Sequence, residues 1–205
     1  MQLLDSDISA PPKTILLLAG SPHRLGNTET LLEAVAASAE NAGARLTRFY
    51  ISEGEVAPCA ACNGCFATGE CIIADRMEDF LALADAADEL VVGTPVFMAS
   101  APAQLKAVYD RLQARWARRY ILGEAAPAKR PAHLLITGTG TDPHGYNPLV
   151  GTSKSALALL DFRVVSINDF IGFERDDASE LHDTLLKKAA SLGTQIAARE
   201  GQKSR

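Results

Sequence analysis

Residues 14–36 read TILLLAGSPHRLGNTETLLEAVA, and this stretch decides the fold. The apolar run that ends at Ala19 predicts a strand buried on both faces of a sheet. Apolar residues then recur at helical spacing as far as Ala39, which predicts a helix that ends near Gly43 and has Asn27 as its N-cap. A buried strand followed directly by a helix is typical of an α/β protein with a parallel sheet.

The rest of the chain repeats this alternation of strands and helices. Further strands are predicted at residues 45–51, 89–94, 132–138 and 164–171. Further helices are predicted at residues 77–87, 103–119 and 149–160, and a last helix begins near Ser179. Five such strands pair in parallel through right-handed crossovers, with helices on both faces of the sheet. The commonest order, 2-1-3-4-5, predicts a flavodoxin-like three-layer sandwich whose ligand binds where the first and third strands diverge.

Composition favours one folded domain that neither spans a membrane nor specialises in nucleic acid. The 205 residues are 47% hydrophobic and 22% charged, as in one globular domain. We predict that domain at residues 14–200, between a flexible leader at 1–13 and a tail at 201–205. The net charge of −5 argues against a nucleic-acid binder. No apolar stretch approaches the ~20 residues that cross a bilayer.

The N-terminal residues do not resemble an export signal. Residues 1–13 contain two aspartates and a Pro–Pro pair where a signal peptide has an apolar run. We therefore expect a cytoplasmic protein, in a reducing compartment where structural disulfides are uncommon.

The turn after the first strand, residues 20–28, predicts a phosphate-binding site. It combines short polar side chains with a glycine and an arginine: Ser21, Asn27, Thr28, Gly26 and Arg24. The helix that follows adds free N–H groups and the positive end of its dipole. The turn matches neither the Walker lysine loop nor G-x-G-x-x-G, which disfavours a nucleoside triphosphate or a dinucleotide pyrophosphate. The alternative is a polar capping turn without a ligand.

All four cysteines fall in one loop, at residues 58–72, with the spacing C-x2-C-x2-C-x5-C. They are Cys59, Cys62, Cys65 and Cys71. In a reducing compartment this pattern predicts a metal or redox site. Cysteines three apart, with small residues between them, can wrap one inorganic cubane. The run lacks the long span between ligand pairs that structural zinc favours, but zinc, a redox-active thiol pair, free thiols and a disulfide stay open.

Two motifs resemble those of the NADPH-dependent FMN reductase and iron–sulfur flavoprotein group. These are G-S-P-x-x-x-G-N-T at residues 20–28 and T-P-V-F-M-A-S-A-P at residues 94–102. The second is followed by Leu105-Lys106 and Asp110-Arg111, and the resemblance covers about residues 14–111. The group usually has Tyr, a second aromatic residue and Gly where this chain has Phe97, Met98 and Ala99.

The resemblance implies which residues contact FMN. The residues that it assigns to the phosphate are Ser21, His23, Arg24, Gly26, Asn27 and Thr28. The residues that it places beside the isoalloxazine ring are Pro95, Val96, Phe97 and Met98. Backbone amides of a third loop, at Gly138, Thr139 and Gly140, are expected near the polar edge of the ring. The cysteine spacing resembles that of the iron–sulfur flavoproteins, which hold a [4Fe–4S] cluster beside FMN.

The implied function is an FMN-dependent NAD(P)H oxidoreductase. A reduced nicotinamide would deliver hydride to the flavin, which would pass electrons to a quinone, a free flavin or a similar acceptor, through the cluster where one is present. We predict no catalytic side chain, because the chemistry belongs to the cofactor. The resemblance also implies a homodimer or homotetramer.

Three alternatives stay open. The first is an electron carrier that accepts electrons from ferredoxin. The second is a cluster-free FMN reductase with free thiols, and the third is a flavin-free regulatory module.

Four arginines at the end of the predicted helix 103–119 suggest a basic patch. They are Arg111, Arg115, Arg118 and Arg119. We expect them to face water and to complement the negative end of the helix dipole.

Overall fold

The computed structural model describes residues 11–199. Residues 1–10 and 200–205, which include most of the predicted leader and the whole predicted tail, lie outside the described residues. The five strands are β1 (Thr14–Ala19), β2 (Arg45–Tyr50), β3 (Glu89–Pro95), β4 (Arg130–Gly138) and β5 (Phe162–Ile171). They form one parallel sheet in the order β2-β1-β3-β4-β5, which confirms the predicted flavodoxin-like fold.

Helices cover both faces of the sheet, as predicted. They are α1 (Asn27–Asn41), α2 (Cys65–Thr68), α3 (Met77–Ala86), α4 (Ala103–Arg111), α5 (Gln113–Tyr120), α6 (Asn147–Leu159) and α7 (Glu180–Ala198), with one 3₁₀ turn at Ile51–Glu53. Side chains of β1 alternate between two cores: Ile15 packs with α1 and α7, and Leu16 packs with α3, α4 and α6. No helix within residues 11–199 is long and apolar enough to cross a membrane.

The predicted helix 103–119 is two helices, and this expectation was wrong. The chain leaves regular helical geometry at Leu112, whose ψ is 0°. The two halves pack on different partners: α4 lies on the sheet, whereas Ala114 and Ala117 of α5 pack against Cys65. The unpredicted α2 supplies that second partner, and its four residues are too few to give a periodic pattern.

Close packing joins β1 to β3 at the carboxyl edge of the sheet. Gly20 donates a 2.7 Å hydrogen bond from its N–H to the carbonyl of Gly93. A Cβ atom at Gly20 would lie 2.9 Å from that carbonyl oxygen, so a larger residue would push the strands apart. The crossover helices α1 and α4 then leave toward opposite faces, which opens the edge between β1 and β3.

Candidate functional site

The structure brings the three predicted flavin loops together at this edge. Thr28, in the first turn of α1, and Thr137, near the end of β4, share a buried 2.8 Å hydrogen bond between their hydroxyls. Val96, in the loop after β3, donates its N–H to the carbonyl of Thr137 at 2.8 Å. The loops after β1, β3 and β4 are therefore held in contact.

The phosphate turn, residues 20–28, ends in a helix without a side-chain cap. Gly26 is the N-cap and Asn27 is the first helical residue, so the predicted Asn27 cap was wrong. The Asn27 side chain instead donates to Glu174 and accepts from the N–H of Arg175, each at 3.0 Å. Because no side chain caps α1, the N–H groups of its first turn stay available to an anion.

Ser21 and His23 shape the floor of the phosphate turn. Ser21 is buried, and its hydroxyl oxygen accepts from the N–H of His23 at 3.2 Å. The ring of His23 lies over Gly26, where a Cβ atom would approach its Cδ2 to 2.9 Å. Leu25 takes a left-handed conformation with φ of 54°. The backbone therefore curls closely at Gly26.

Arg24 is already paired with carboxylates. It forms ion pairs with Glu29 at 3.2 Å and Glu53 at 2.6 Å, and its guanidinium lies 4.0 Å from the centre of the Tyr50 ring. Glu29 is buried and also accepts from the N–H of Leu25 at 2.7 Å. Sequence reasoning missed Glu29, although an acidic residue in the first turn of a helix is a usual signal of capping.

An open pocket lies between the loops after β3 and β4, where the flavin ring is predicted. The pocket has a volume of about 620 Å³, part of which is open to solvent. Predicted ring residues line it: Val96, Met98, Gly138, Thr139 and Gly140. The remaining lining residues were not assigned to the ring: Thr141, Asp142, Gly145, Tyr146 and Ile171. The phosphate turn lies outside this lining, and Phe97 and Met98 are exposed by 49% and 92%.

The segment after Pro95 closes in a strained turn. Phe97 and Ser100 exchange two backbone hydrogen bonds of 2.9 Å. The residues between them, Met98 and Ala99, have φ of 49° and 59°, as in a type I′ turn. Each such non-glycine residue costs about 1–2 kcal/mol. Ala99 stands where the resembling group usually has glycine, so this chain keeps the turn against a local steric penalty.

A charged group borders the ring pocket. The Tyr146 hydroxyl donates to Asp169 at 3.3 Å, and Lys188 pairs with the same carboxylate at 3.1 Å. Burial, followed by the charge of Asp169, raises the pKa of Tyr146. The hydrogen bond from Lys188 lowers the pKa of Asp169. Tyr146 is thus a neutral hydrogen-bonding phenol at neutral pH.

The four cysteines line a second pocket, of about 370 Å³ and partly open to solvent. None of the four thiols is in a disulfide. Cys65 is buried, Cys62 is exposed, and Cys59 and Cys71 lie between these limits. Burial raises the pKa of the Cys65 thiol, against a backbone hydrogen bond that lowers it, and the other three cysteines raise it further.

The backbone of the cysteine loop is suited to an anionic group. Ala61 and Asn63 are left-handed, with φ of 52° and 59°, and Gly64 is right-handed. Consecutive left- and right-handed residues turn their N–H groups toward one concavity, as in many iron–sulfur sites. Among residues 11–199, no group of His, Cys, Asp or Glu side chains is arranged to hold a single metal ion.

Arg111 lies beneath the cysteine pocket, and the expectation that it faces water was wrong. It is 3% exposed, and its Nη1 donates to Asp75 at 2.6 Å. Burial alone would raise the pKa of Asp75, but hydrogen bonds from Arg111 and from the N–H groups of Met77 and Ala57 lower it. The other three arginines are partly exposed and pair with acids: Arg115 with Asp85, Arg118 with Glu70, and Arg119 with Asp161.

Known proteins show what this chain is similar to. The family model for NADPH-dependent FMN reductase matches residues 13–174. An iron–sulfur flavoprotein of Archaeoglobus fulgidus is 28% identical over 182 residues, which are 88% of this chain and 77% of the relative. An iron–sulfur flavoprotein of Methanosarcina thermophila is 39% identical over 94 residues, which are 46% of this chain and 49% of the relative.

The fold is similar to that of solved oxidoreductases. The NAD(P)H:quinone oxidoreductase of Methanothermobacter marburgensis superposes with a TM-score of 0.68 and 18% identity, over 93% of this chain and 98% of that chain. At this identity the likeness concerns the architecture alone.

Proposed function

The chain belongs to the NADPH-dependent FMN reductase family, and from this premise we propose that it binds FMN and transfers electrons from NAD(P)H to an acceptor. The observation that carries the proposal is the contact of three loops at the carboxyl edge of β1, β3 and β4. The hydrogen bond between Thr28 and Thr137 holds the phosphate turn beside the open ring pocket. Bound FMN supplies the redox chemistry, and the protein supplies binding, orientation and electrostatics.

The phosphate turn binds the phosphate of FMN chiefly through its backbone. The uncapped first turn of α1 offers N–H groups, and the buried hydroxyls of Ser21 and Thr28 lie beside them. Arg24 reaches the phosphate only by leaving Glu29 or Glu53. His23 and Asn27 shape the turn. The ring of His23 lies over Gly26, and the side chain of Asn27 forms hydrogen bonds with residues 174 and 175.

The ring pocket binds the isoalloxazine. Val96 and Met98 line the pocket and would offer apolar contacts to the ring, with Pro95 and Phe97 in the same segment. Gly138, Thr139 and Gly140 line it as well, and their backbone amides are the groups proposed for the polar edge of the ring. Of the apolar residues, Met98 is the most exposed, at 92%, and is accessible to a ligand or to a second subunit. A homodimer or homotetramer and a cytoplasmic location stay predictions.

We further propose a [4Fe–4S] cluster held by the four cysteines. Three observations support it: one pocket lined by all four cysteines, the left-handed residues Ala61 and Asn63 within the loop, and the iron–sulfur flavoproteins among the relatives. The cluster supplies one-electron transfer.

The second candidate function is an electron carrier that exchanges electrons with a ferredoxin-type partner. The observation that favours it is the 28% identity to an iron–sulfur flavoprotein over 88% of the chain. Such a carrier needs the same two cofactors but no nicotinamide.

Cofactor analysis and anaerobic mixing test these proposals. The protein purified without oxygen is expected to contain one FMN and four irons per chain, and NADPH or NADH is expected to bleach the flavin. Bleaching by reduced ferredoxin alone would favour the carrier. A flavin that neither nucleotide bleaches contradicts the reductase, and one FMN without iron leaves a cluster-free reductase with free thiols. A protein without affinity for FMN would point to the flavin-free module.

A further inference from the structure

Arg111 joins the two ends of the cysteine loop. Its Nη1 donates to the carbonyl of Ala57 at 3.0 Å, just before the first cysteine. Its Nη2 donates to the carbonyl of Ile73 at 2.8 Å, just after the last one. Asp75 holds Nη1 at 2.6 Å and also accepts from the N–H groups of Ala57 and Met77, each at 2.9 Å. The guanidinium therefore has a fixed position and orientation.

The third nitrogen of this guanidinium has no partner. Within residues 11–199, Nε of Arg111 is buried and makes no hydrogen bond, a state found for only one other side-chain atom, the hydroxyl of Thr47. A buried donor without an acceptor is unfavourable, and unsatisfied groups in folded proteins call for an explanation by strain, by function or by a missing ligand. Since Nη1 and Nη2 are fixed elsewhere, Nε remains free for such a ligand.

The surroundings of Arg111 identify the acceptor. Arg111 lines the same pocket as the four cysteines. Cys71 lines this pocket together with Arg111. Burial lowers the pKa of Arg111, whereas the hydrogen bond to Asp75 and then the charge of Cys71 raise it, so Cys71 is the cysteine that interacts electrostatically with this guanidinium. A thiolate that binds iron carries negative charge and accepts hydrogen bonds, and such bonds tune the potential of iron–sulfur clusters.

We propose that Nε–H of Arg111 donates a hydrogen bond to the Cys71 sulfur or an adjacent sulfide of the cluster and so raises the reduction potential of the cluster. The inference rests on the proposed cluster. Reduction adds one electron and one negative charge to the cluster, and a fixed positive donor stabilises the reduced form more than the oxidised form. Asp75 opposes this effect with its own negative charge while holding the arginine in place.

Redox titration of the anaerobic, full-length protein tests the proposal, with the cluster followed by EPR. Arg111→Gln removes the charge and the Nε donor, and we expect the reduced state to be about tenfold less favoured, which is about 59 mV for a one-electron couple. Arg111→Lys keeps the charge but loses the planar fork, and a smaller decrease is expected. Asp75→Asn removes a negative charge and is expected to raise the potential. Arg115→Lys, at an arginine paired with Asp85 away from the pocket, is the control and is expected to leave it unchanged.

The opposite signs separate this role from a structural one. If Arg111 only holds the loop closed, Asp75→Asn shifts the potential in the same direction as the Arg111 variants, and that result overturns the proposal. Unchanged potentials in iron-replete Arg111 variants overturn it as well. If these variants lose their iron, the Asp75→Asn titration decides alone: a rise supports the proposal, and no change or a fall overturns it. A wild-type protein without iron overturns the proposed cluster itself, which iron analysis shows before any titration.

Discussion

The phosphate turn and the cysteine loop begin at the same edge of the sheet but differ in how their polar groups are satisfied. β1 and β2 end side by side, with Ala19 opposite Tyr50. In the phosphate turn, Arg24, Asn27 and Thr28 all have protein partners. In the cysteine loop, residues 58–72, the four cysteines line one pocket, and the Nε of Arg111, in the same lining, is unpaired. We infer that the turn is preformed for the proposed phosphate, whereas the loop leaves polar groups that only the proposed cluster would satisfy.

The largest expected effect is a loss of iron from the cysteine loop without any loss of FMN from the phosphate turn. Cys65→Ser removes the buried sulfur of the cysteine pocket, because a hydroxyl is a poor substitute for a thiolate iron ligand. We expect iron content to fall to near zero while FMN content stays unchanged. Iron and flavin analysis after anaerobic purification measures both. Ala67→Ser, an exposed hydroxyl substitution in α2, is the matched control.

The outcome that would break the comparison is loss of FMN together with the iron. It would mean that the phosphate turn depends on the cysteine loop, through the 3₁₀ turn that precedes the loop and carries Glu53, the ion-pair partner of Arg24.

Iron removal is expected to change the structure around Trp116. This single tryptophan packs on Phe66, which directly follows Cys65, with ring centroids 5.9 Å apart. Since the loop leaves polar groups that only the proposed cluster would satisfy, chelation of the iron is expected to expose Trp116 and shift its emission to longer wavelength. Emission spectra before and after chelation of the flavin-free protein measure the change. An emission maximum that stays in place would show that the apo loop keeps its structure.

A smaller effect is expected at the phosphate turn. Thr28→Val removes a buried hydroxyl, and loss of about one net hydrogen bond raises the Kd for FMN roughly tenfold. Thr137→Val is the matched control, because it breaks the same hydrogen bond but leaves the Thr28 hydroxyl in the turn. Its Kd is expected to rise much less. Equal effects of the two variants would show that the hydroxyl only joins the loops and does not contact the phosphate. Flavin fluorescence titration of the apoprotein provides both constants.

Sequence patterns were sufficient for the sheet but not for the polar partners. β1 and β3 are mostly apolar, which predicts strands that are buried on both faces of a sheet. The alternation of strands and helices then leaves few possible strand orders for a parallel sheet. The burial of Arg111 had no local signal, because its partner Asp75 lies 36 residues earlier in the chain. Glu29 was visible as an acidic residue in a first turn, but its pairing with Arg24 depends on how the turn curls at Leu25.

The smallest effect is a pH dependence confined to the cysteine loop. The pKa of Asp75 is lower in the folded protein than the usual value, so its ionised form stabilises the folded state. This contribution is complete above the unfolded pKa, near 3.9, and is lost as the pH falls through the lower folded value. Wild type and Asp75→Asn in iron-free form are therefore expected to differ in unfolding free energy by a constant amount at pH 5–7 and by progressively less below pH 4. Denaturant titrations across this range measure the difference. A difference in unfolding free energy that stays constant down to pH 2 would show that Asp75 acts through shape and hydrogen bonding rather than through its charge. The cysteine loop and the phosphate turn would then not differ in electrostatic stabilisation.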